Sequence, residues 1–366
     1  MKIGTVTEIK QQEYRVGLTP DNVKSYIRHG HSVFIQSGAG IGSSLLDEEY
    51  EAAGARILSN AKEVWDTCDM LIKVKEPLES EYYLMREEQI IYAYLHLAAD
   101  KPLTEALLKS GSKAVAYETI TDEKGELPLL KPMSEIAGKL SVQVGARCLE
   151  KPNGGSGVLL SGAVGVKNAE CVIIGGGVVG TAAMKMAVGL GASVTVLDNN
   201  LDRLSYLDDV FGNRIQTLYS TPASIAASVS KADLVIGAVL IPGASAPKLI
   251  KKEYLKTMKH GSVIVDVAVD QGGCCETTKR TYHHAPTFVV DGVLHYCVAN
   301  MPGAVSQTST FALTNATLAL GLKIADLGLE KAFEKDEHLK RGVNVYKGKL
   351  TCKEVAEALN IEYESL

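Results

Sequence analysis

The sequence of 366 residues lacks the features that mark several large classes of protein. Its seven cysteines are odd in number and irregular in spacing, which argues against a disulfide framework and favours reduced thiols in a cytoplasm. No apolar run is long enough to span a bilayer, and we find no basic cluster, metal-ligand spacing or internal repeat. The formal net charge is −5, so nothing favours nucleic acid as a partner. Charged and polar residues follow the first apolar segment at once, so we expect no signal peptide there.

The most informative segment is the run CVIIGGGVVG at residues 171–180. Its β-branched half predicts a strand, and the glycines predict a turn into a helix over 181–187. In this order Gly175 allows the tight turn, Gly177 allows the backbone to approach a pyrophosphate, and Gly180 allows the helix to pack closely on the strand. The pyrophosphate is expected on the free N–H groups at the N-terminus of that helix.

A carboxylate completes the pattern. A second predicted strand over 193–198 ends on Asp198, which is 23 residues after Gly175 and is placed to bind both ribose hydroxyls. Strand, turn, helix, strand and acid in this order predict a dinucleotide site. NAD is favoured over NADP because a 2′-phosphate would be repelled by Asp198, although Arg203 is close enough in sequence to keep NADP open.

Strands alternate with helices along most of the chain, and its length is enough for two domains. Before the glycine run we predict a helix that begins at Pro20 with Thr19 as its N-cap. The other predicted helices cover 47–53, 61–65, 103–109 and 134–149, and the predicted strands cover 2–5, 32–36, 70–74, 90–94, 113–117, 233–239 and 262–267. Residues 288–294 predict a hairpin with Asp291 and Gly292 as its turn. The tail from Ser306 is predicted to be helical and to pack on the first domain.

Polar residues follow several of these strands, where the ligands of open α/β sheets bind. They are Arg15, Lys75 and His96 in the first part of the chain and Asp270 in the second. Strand alternation also predicts that Lys73 lies on the same face as Lys75. Each residue alone fits a surface charge, a cap or a hydrogen-bonded side chain. Together they fit an NAD enzyme acting on an amino or hydroxy acid, because cations hold a carboxylate and a histidine can take a proton near working pH.

With these residues in place, the chain resembles the family that contains alanine dehydrogenase and the NAD-binding part of proton-translocating nicotinamide nucleotide transhydrogenase. The resemblance runs essentially from end to end. It rests on the motifs at residues 13–20, 73–77, 94–98, 132–138, 266–273 and 298–303. The resemblance implies an α/β fold of two doubly wound domains, with a central Rossmann dinucleotide-binding domain (129–306) inserted in a split substrate domain (1–128 and 307–366).

The resemblance also implies a reaction and roles for residues. The reaction is the reversible oxidative deamination of L-alanine by NAD to pyruvate, ammonium and NADH, in a cytoplasmic homohexamer without nucleic-acid or membrane partners. Arg15 and Lys75 would hold pyruvate, His96 would be the acid/base, and Asp270 would activate water or ammonia in the iminium and carbinolamine steps. Residues expected at the cofactor are Ser134, Gly175, Gly177, Val178, Val179, Gly180, Asp198, Arg203, Ser220, Val239, Leu240, Val267, Asp270, Asn300 and Met301.

Three alternatives stay open at this point. The first is the soluble component of a transhydrogenase, which would need a membrane partner and a mobile loop that we do not find in the sequence. The second is a saccharopine- or lysine-type dehydrogenase, which would need room for a long side chain. The third is a non-catalytic NAD sensor, which would have no need for Arg15, Lys75, His96 and Asp270 together.

Overall fold

The computed structural model describes residues 1–239 and 245–366, which divide into two compact units. One unit contains Met1–Met133 and Val305–Leu366, and the other contains Ser134–Ala304. The described strands are β1 (Lys2–Thr5), β2 (Ser32–Gln36), β3 (Arg56–Leu58), β4 (Met70–Ile72), β5 (Ile90–Ala93), β6 (Lys113–Ala116), β7 (Glu170–Ile174), β8 (Ser193–Asp198), β9 (Ile215–Tyr219), β10 (Leu234–Gly237), β11 (Val263–Asp266), β12 (Thr287–Val290), β13 (Val293–Tyr296), β14 (Val343–Tyr346) and β15 (Lys349–Leu350).

The described α-helices begin with one whose N-terminus the sequence predicted. Thr19 caps it by accepting a hydrogen bond from the Asn22 N–H, and Pro20 occupies the first turn. The helices are α1 (Pro20–Arg28), α2 (Asp47–Ala52), α3 (Ala61–Thr67), α4 (Lys101–Ser110), α5 (Lys131–Leu149), α6 (Val178–Gly189), α7 (Leu201–Phe211), α8 (Pro222–Val229), α9 (Ser306–Leu327), α10 (Leu329–Glu334), α11 (Glu337–Gly342) and α12 (Lys353–Leu359). Among the described residues, no helix has the length and apolar character needed to cross a bilayer.

The first unit is built on a sheet in the order β15-β14-β6-β5-β4-β1-β2-β3. Strands β1 to β6 are all parallel, and their order around β1 is that of a doubly wound fold. Strands of such a sheet are covered on both faces, and Ile3, Leu71 and Ile91 are accordingly fully buried. The tail, predicted to be helical, contributes helices but also the antiparallel edge strands β14 and β15. That part of the prediction was incomplete because both strands are short.

The second unit repeats the same design. Its sheet has the order β12-β13-β11-β10-β7-β8-β9, in which six strands are parallel and β12 pairs antiparallel with β13. The hairpin turn is where it was predicted, since Asp291 and Gly292 both have positive φ. This order around β7 is the Rossmann order, with its switch point between β7 and β10. The prediction of two doubly wound α/β domains is confirmed.

Three predicted strands of the first unit end earlier than expected, at Ile72, Ala93 and Ala116. The Val74 N–H donates to the Glu8 carboxylate at 2.6 Å, and the Leu95 N–H donates to the Glu118 carboxylate at 3.1 Å. The chain therefore leaves the regular strand conformation at the carboxyl ends of β4 and β5, where the candidate site lies.

Candidate active site

The turn between β7 and α6 lies at the switch point of the second unit. Gly175 has φ +100°, and a Cβ on it would lie 2.8 Å from the Ala238 carbonyl oxygen. A Cβ on Gly180 would lie 1.9 Å from the Gly175 carbonyl oxygen, so both positions require glycine for packing. A Cβ on Gly177 would meet no atom within 4 Å. The space at Gly177 is therefore open to a ligand that approaches the backbone.

The N-terminus of α6 faces this open position. Gly177 is the N-cap, and the first helical bond runs from the Thr181 N–H to the Gly177 carbonyl at 2.9 Å. The N–H groups of Val178, Val179 and Gly180 consequently have no partner within the helix. Aligned peptide dipoles add partial positive charge there, so the turn offers a site for an anion.

Asp198 ends β8 beside the turn. Its carboxylate accepts hydrogen bonds from the N–H groups of Gly176 (2.7 Å) and Asn200 (2.9 Å). Arg203 donates to the Gly176 carbonyl and to Thr181 Oγ1, each at 2.6 Å. Its guanidinium also lies 4.8 Å from the Tyr206 ring centre. The arginine is therefore engaged with the turn itself.

Most other residues predicted at the cofactor also follow strands of this sheet. Ser220 follows β9 and donates its N–H to the Asp198 carbonyl at 2.9 Å, while Val239 and Val267 follow β10 and β11. Asn300 and Met301 come after β13, and Ser134 is a half-buried residue of α5. Leu240 lies outside the described residues.

Asp270 lies in a 3₁₀ helix, Val267–Gln271, directly after β11. Buried Asp266 caps this helix by accepting the N–H of Ala268 at 3.1 Å. The Asp270 side chain is exposed, accepts the Asn300 N–H at 3.3 Å and lies 3.7 Å from an Arg280 nitrogen. The carboxylate is thus held near the strand end but remains accessible.

In the first unit, Arg15 lies in the loop after β1 and is buried. Its Nε and Nη2 each donate to a carboxylate oxygen of Glu13 at 2.6 Å, and Nη1 donates to Met133 Sδ at 3.0 Å. Burial alone would lower the pKa of the guanidinium, but the bonds and opposite charge of Glu13 outweigh it and raise the pKa. Arg15 therefore stays charged in a fixed orientation.

The two lysines after β4 differ in their surroundings. Because the strand ends at Ile72, strand alternation does not set their directions, and the prediction that they share a face has no basis. Lys73 is fully buried, and its ammonium lies 3.1 Å from Glu8 and 3.2 Å from Glu81. Among residues 1–239 and 245–366, Lys75 makes no ion pair, and its ammonium lies 5.9 Å from the Tyr94 ring centre. Lys75 is the lysine left to meet an incoming anion.

The pKa of Lys75 reflects this position. Burial lowers the pKa of the ammonium below its ordinary value, and the like charges of Arg15 and Lys10 lower it further. Glu76 and Glu13 act in the opposite direction but do not compensate. An anionic ligand would relieve the repulsion among these cations.

His96 follows β5 in a left-handed conformation, with φ 51°. Its backbone N–H donates to Glu118 at 2.5 Å, and its Nδ1 lies 3.9 Å from the same carboxylate. The ring stacks on Tyr94 with centres 6.1 Å apart, and the Tyr94 hydroxyl donates to the Leu129 carbonyl at 2.5 Å. Burial lowers the pKa of the imidazole, while the Glu118 carboxylate raises it and Lys75 lowers it. A neutral imidazole can accept a proton.

Tyr94 therefore has the Lys75 ammonium and the His96 ring as neighbours, so cation and base lie at the same carboxyl end of one sheet. The sequence did not single out Glu118 or Glu8. Glu118 could have been found by the criterion that found His96, because it lies two residues after the end of a strand, β6. Glu8 follows the end of β1 by three residues, but nothing in the sequence indicates that it reaches Lys73 and Val74.

A cavity of about 650 Å³ in the second unit lies elsewhere. Glu170 and Asp233 line it, and they mark the amino ends of β7 and β10. Ligands of doubly wound sheets bind at the carboxyl ends, so the glycine turn is the better candidate. Within the described residues, no group of His, Cys, Asp and Glu side chains could hold a metal ion.

The strand order, glycine turn and strand-end carboxylate of the second unit define a dinucleotide-binding fold of the kind found in oxidoreductases. Comparison with known families narrows this class. Residues 4–137 match the family "Alanine dehydrogenase/PNT, N-terminal domain", and residues 141–353 match "Alanine dehydrogenase/PNT, C-terminal domain". The chain belongs to the alanine dehydrogenase/PNT family, whose dehydrogenase members imply a nicotinamide cofactor.

Individual relatives agree with this assignment. The chain is 55% identical to an alanine dehydrogenase of Methanococcus maripaludis and 53% identical to one of Halomonas elongata, each over 99% of this chain and 98% of the relative. A solved L-alanine dehydrogenase matches with a TM-score of 0.96 and 53% identity, over 98% of this chain and 99% of that chain. A solved transhydrogenase from Sinorhizobium meliloti matches with a TM-score of 0.83 and 25% identity, over 96% of this chain and 99% of that chain.

Proposed function

We propose that the chain is an NAD-dependent dehydrogenase that converts L-alanine reversibly to pyruvate and ammonium. The observation that carries the proposal is the pairing of Lys75 and His96 on the ring of Tyr94, with the fixed cation Arg15 in the same unit. A small α-amino acid needs these two functions, a cation for its carboxylate and a base for its amino group. The names of the relatives at 53–55% identity specify alanine.

The two units would divide the work. The first unit, which contains the predicted substrate domain (1–128 and 307–366), would hold the substrate, and the second unit, Ser134–Ala304, which lies within the predicted cofactor domain (129–306), would hold the cofactor. Arg15 and Lys75 would bind the carboxylate and the carbonyl oxygen of pyruvate, and His96 would take a proton from the substrate. Asp270 would orient the water or ammonia that attacks carbon 2. When bound, NAD accepts the hydride from that carbon.

The residues of the second unit fit a dinucleotide. Gly177 leaves open the space that a pyrophosphate would need, and the N–H groups of Val178 and Val179 would bind it. Gly175 and Gly180 would shape the turn, and Asp198 and Ser220 would lie at the adenosine ribose. The remaining proposed contacts are Ser134, Arg203, Val239, Leu240, Val267, Asn300 and Met301.

NAD is favoured over NADP by two features. The Asp198 carboxylate would repel a 2′-phosphate, and its position is fixed by the N–H groups of Gly176 and Asn200. Arg203, which could have attracted that phosphate, is bound to the Gly176 carbonyl and Thr181. The homohexamer and the cytoplasmic location that the family resemblance implies stay predictions.

Formation of NADH after addition of L-alanine and NAD tests the proposal, with L-lysine and 2-hydroxy acids as controls. We expect absorbance at the NADH band with L-alanine and little with the controls. Absence of NADH with L-alanine would contradict the proposed function, and a larger rate with L-lysine would favour a lysine-type dehydrogenase. The transhydrogenase alternative is less well supported, because the identity to a transhydrogenase is 25% against 53–55% to alanine dehydrogenases.

A further inference from the structure

Glu8 lies in the loop that follows β1 and makes hydrogen bonds to the segment after β4 that carries Lys75. Its Oε1 accepts the N–H of Val74 at 2.6 Å and the N–H of Lys75 at 3.3 Å. Its Oε2 accepts the Lys73 ammonium at 3.1 Å. The side chain of Glu8 is 2% exposed. Both oxygens of one buried carboxylate therefore bind three consecutive residues of the loop after β4.

The same loop is fixed on its other groups. The Lys73 N–H donates to the Tyr92 carbonyl at 3.1 Å, and the Tyr117 hydroxyl donates to the Lys73 carbonyl at 3.1 Å. The Val74 carbonyl accepts the Tyr94 N–H at 3.2 Å. Of these bonds, only that of Glu8 reaches the N–H of Lys75 itself, since the others stop at Val74.

Lys73 makes it possible for a carboxylate to lie there. Isolated burial would protonate Glu8, and its pKa is indeed raised by burial, while the Lys73 charge and the Val74 N–H act against that shift. Glu81 completes a buried Glu8–Lys73–Glu81 triad through its bond to Lys73 at 3.2 Å. Glu81 differs from Glu8 in one respect, because its second oxygen accepts the N–H of Leu78 at 3.0 Å and not that of Lys75.

We infer that Glu8 is a positioning residue for the reaction: its buried carboxylate, held by Lys73, fixes the backbone of Lys75 so that the ammonium meets the substrate. The inference rests on the proposed role of Lys75 in binding pyruvate. A buried ion pair that only stabilised the fold would not need its carboxylate to contact the backbone of Lys75. The Glu8 carboxylate accepts the N–H groups of Val74 and of Lys75, the lysine proposed to bind the substrate.

The two acids of the triad provide a matched pair of variants. Glu8→Gln and Glu81→Gln each remove one negative charge from the triad. In each variant an NH2 group replaces one carboxylate oxygen, so a donor faces either the Lys73 ammonium or the backbone N–H that the acid had accepted. Only Glu8→Gln disturbs the backbone of Lys75. We expect it to raise the KM for pyruvate by roughly tenfold or more, since small displacements of a positioning group cost about that factor. Glu81→Gln should leave that KM within roughly twofold of the wild type. Because both variants remove one charge from the same buried triad, we expect the two to lower Tm by similar amounts.

Binding of NADH, followed by fluorescence titration, should be unchanged in both variants. Glu8→Asp, which keeps the charge beside Lys73 but is one methylene shorter, serves if Glu8→Gln does not fold, and the same rise in KM is expected. Equal KM values for pyruvate in the two glutamine variants, or an unchanged KM in both Glu8 variants, would overturn the inference.

A second readout does not depend on turnover. Trace labelling of lysines with acetic anhydride over a range of pH, followed by peptide mass mapping, reports the titration of Lys75. We expect this titration to move toward that of an ordinary lysine in Glu8→Gln and not in Glu81→Gln, because a released ammonium gains water. An identical titration in all three proteins would refute the positioning role. If the wild type does not turn over alanine or pyruvate, the proposed function fails, and this labelling still decides whether Glu8 positions Lys75.

Discussion

Replacement of Gly177 by alanine tests the dinucleotide site with little expected change in folding. A Cβ at this position meets no atom within 4 Å, and the backbone φ of −66° is open to alanine. Alanine is a poorer N-cap than glycine, but it also reduces the entropy of the unfolded chain, and the two effects oppose each other at about 0.5–1 kcal/mol each. The free energy of unfolding should therefore change by less than about 1 kcal/mol.

Binding of the cofactor should change far more. The methyl group would fill the space through which a pyrophosphate reaches the N–H groups of Val178 and Val179. Loss of one charge-assisted hydrogen bond costs about 1.5–3 kcal/mol. The Kd for NADH should accordingly rise by roughly 10- to 100-fold.

Fluorescence titration with NADH measures this change, and a thermal melt checks the fold. Gly189→Ala is a matched control, because a Cβ at Gly189, at the far end of the same helix, also meets no atom within 4 Å. We expect the control to bind NADH as the wild type does. A Gly177→Ala variant with wild-type Tm and wild-type affinity would refute the approach of the pyrophosphate at this glycine.

Three further predictions concern the proposed chemistry. His96→Ala and Asp270→Asn should each abolish turnover while NADH still binds, and near-normal turnover in either variant would show that its role is wrong. Glu118→Gln removes a charge that raises the pKa of His96, so the acidic limb of kcat/KM for L-alanine should move to lower pH; an unchanged limb or a shift to higher pH would contradict the coupling. Asp198→Ala should weaken the binding of NAD more than the binding of NADP. Equal losses of affinity for the two cofactors, measured by titration, would reject the ribose assignment.

The elements that the sequence predicted best are those with a local physical cause. The helix at Pro20 has its cap and first-turn proline within four residues, and the turn at Asp291 and Gly292 needs two residues that tolerate positive φ. The glycine run at Gly175 is local in the same sense. Each signal lies in a short stretch of chain, so no tertiary contact is needed to recognise it.

Short strands at the margins of the sheets were missed. Strand β3, Arg56–Leu58, has three residues and is partly exposed, so it has neither the length nor the continuous apolar character of a buried strand. The tail strand Lys349–Leu350 has two residues and forms by pairing with Val343–Tyr346. Pairing with a partner, which the sequence of the strand does not contain, is what stabilises such elements.

The site shows the same division. The residue types at strand ends were visible in the sequence, as for Lys75 and His96. Which lysine is neutralised was not, because Glu8 reaches Lys73 from 65 positions away in the sequence. The environment of His96 likewise depends on Glu118, 22 positions further along the chain. Charge balance in a folded site is set by such distant partners, so it becomes readable only from the structure.

Deuterium transfer tests the central claim most directly. L-Alanine carrying deuterium on carbon 2 would be incubated with the protein and NAD, and the reduced cofactor would be analysed by mass spectrometry. If the substrate carbon gives its hydride to the nicotinamide, the deuterium moves to the cofactor and NADH should be one mass unit heavier than NADH formed from unlabelled L-alanine. Unlabelled NADH, or no NADH at all, would contradict the account.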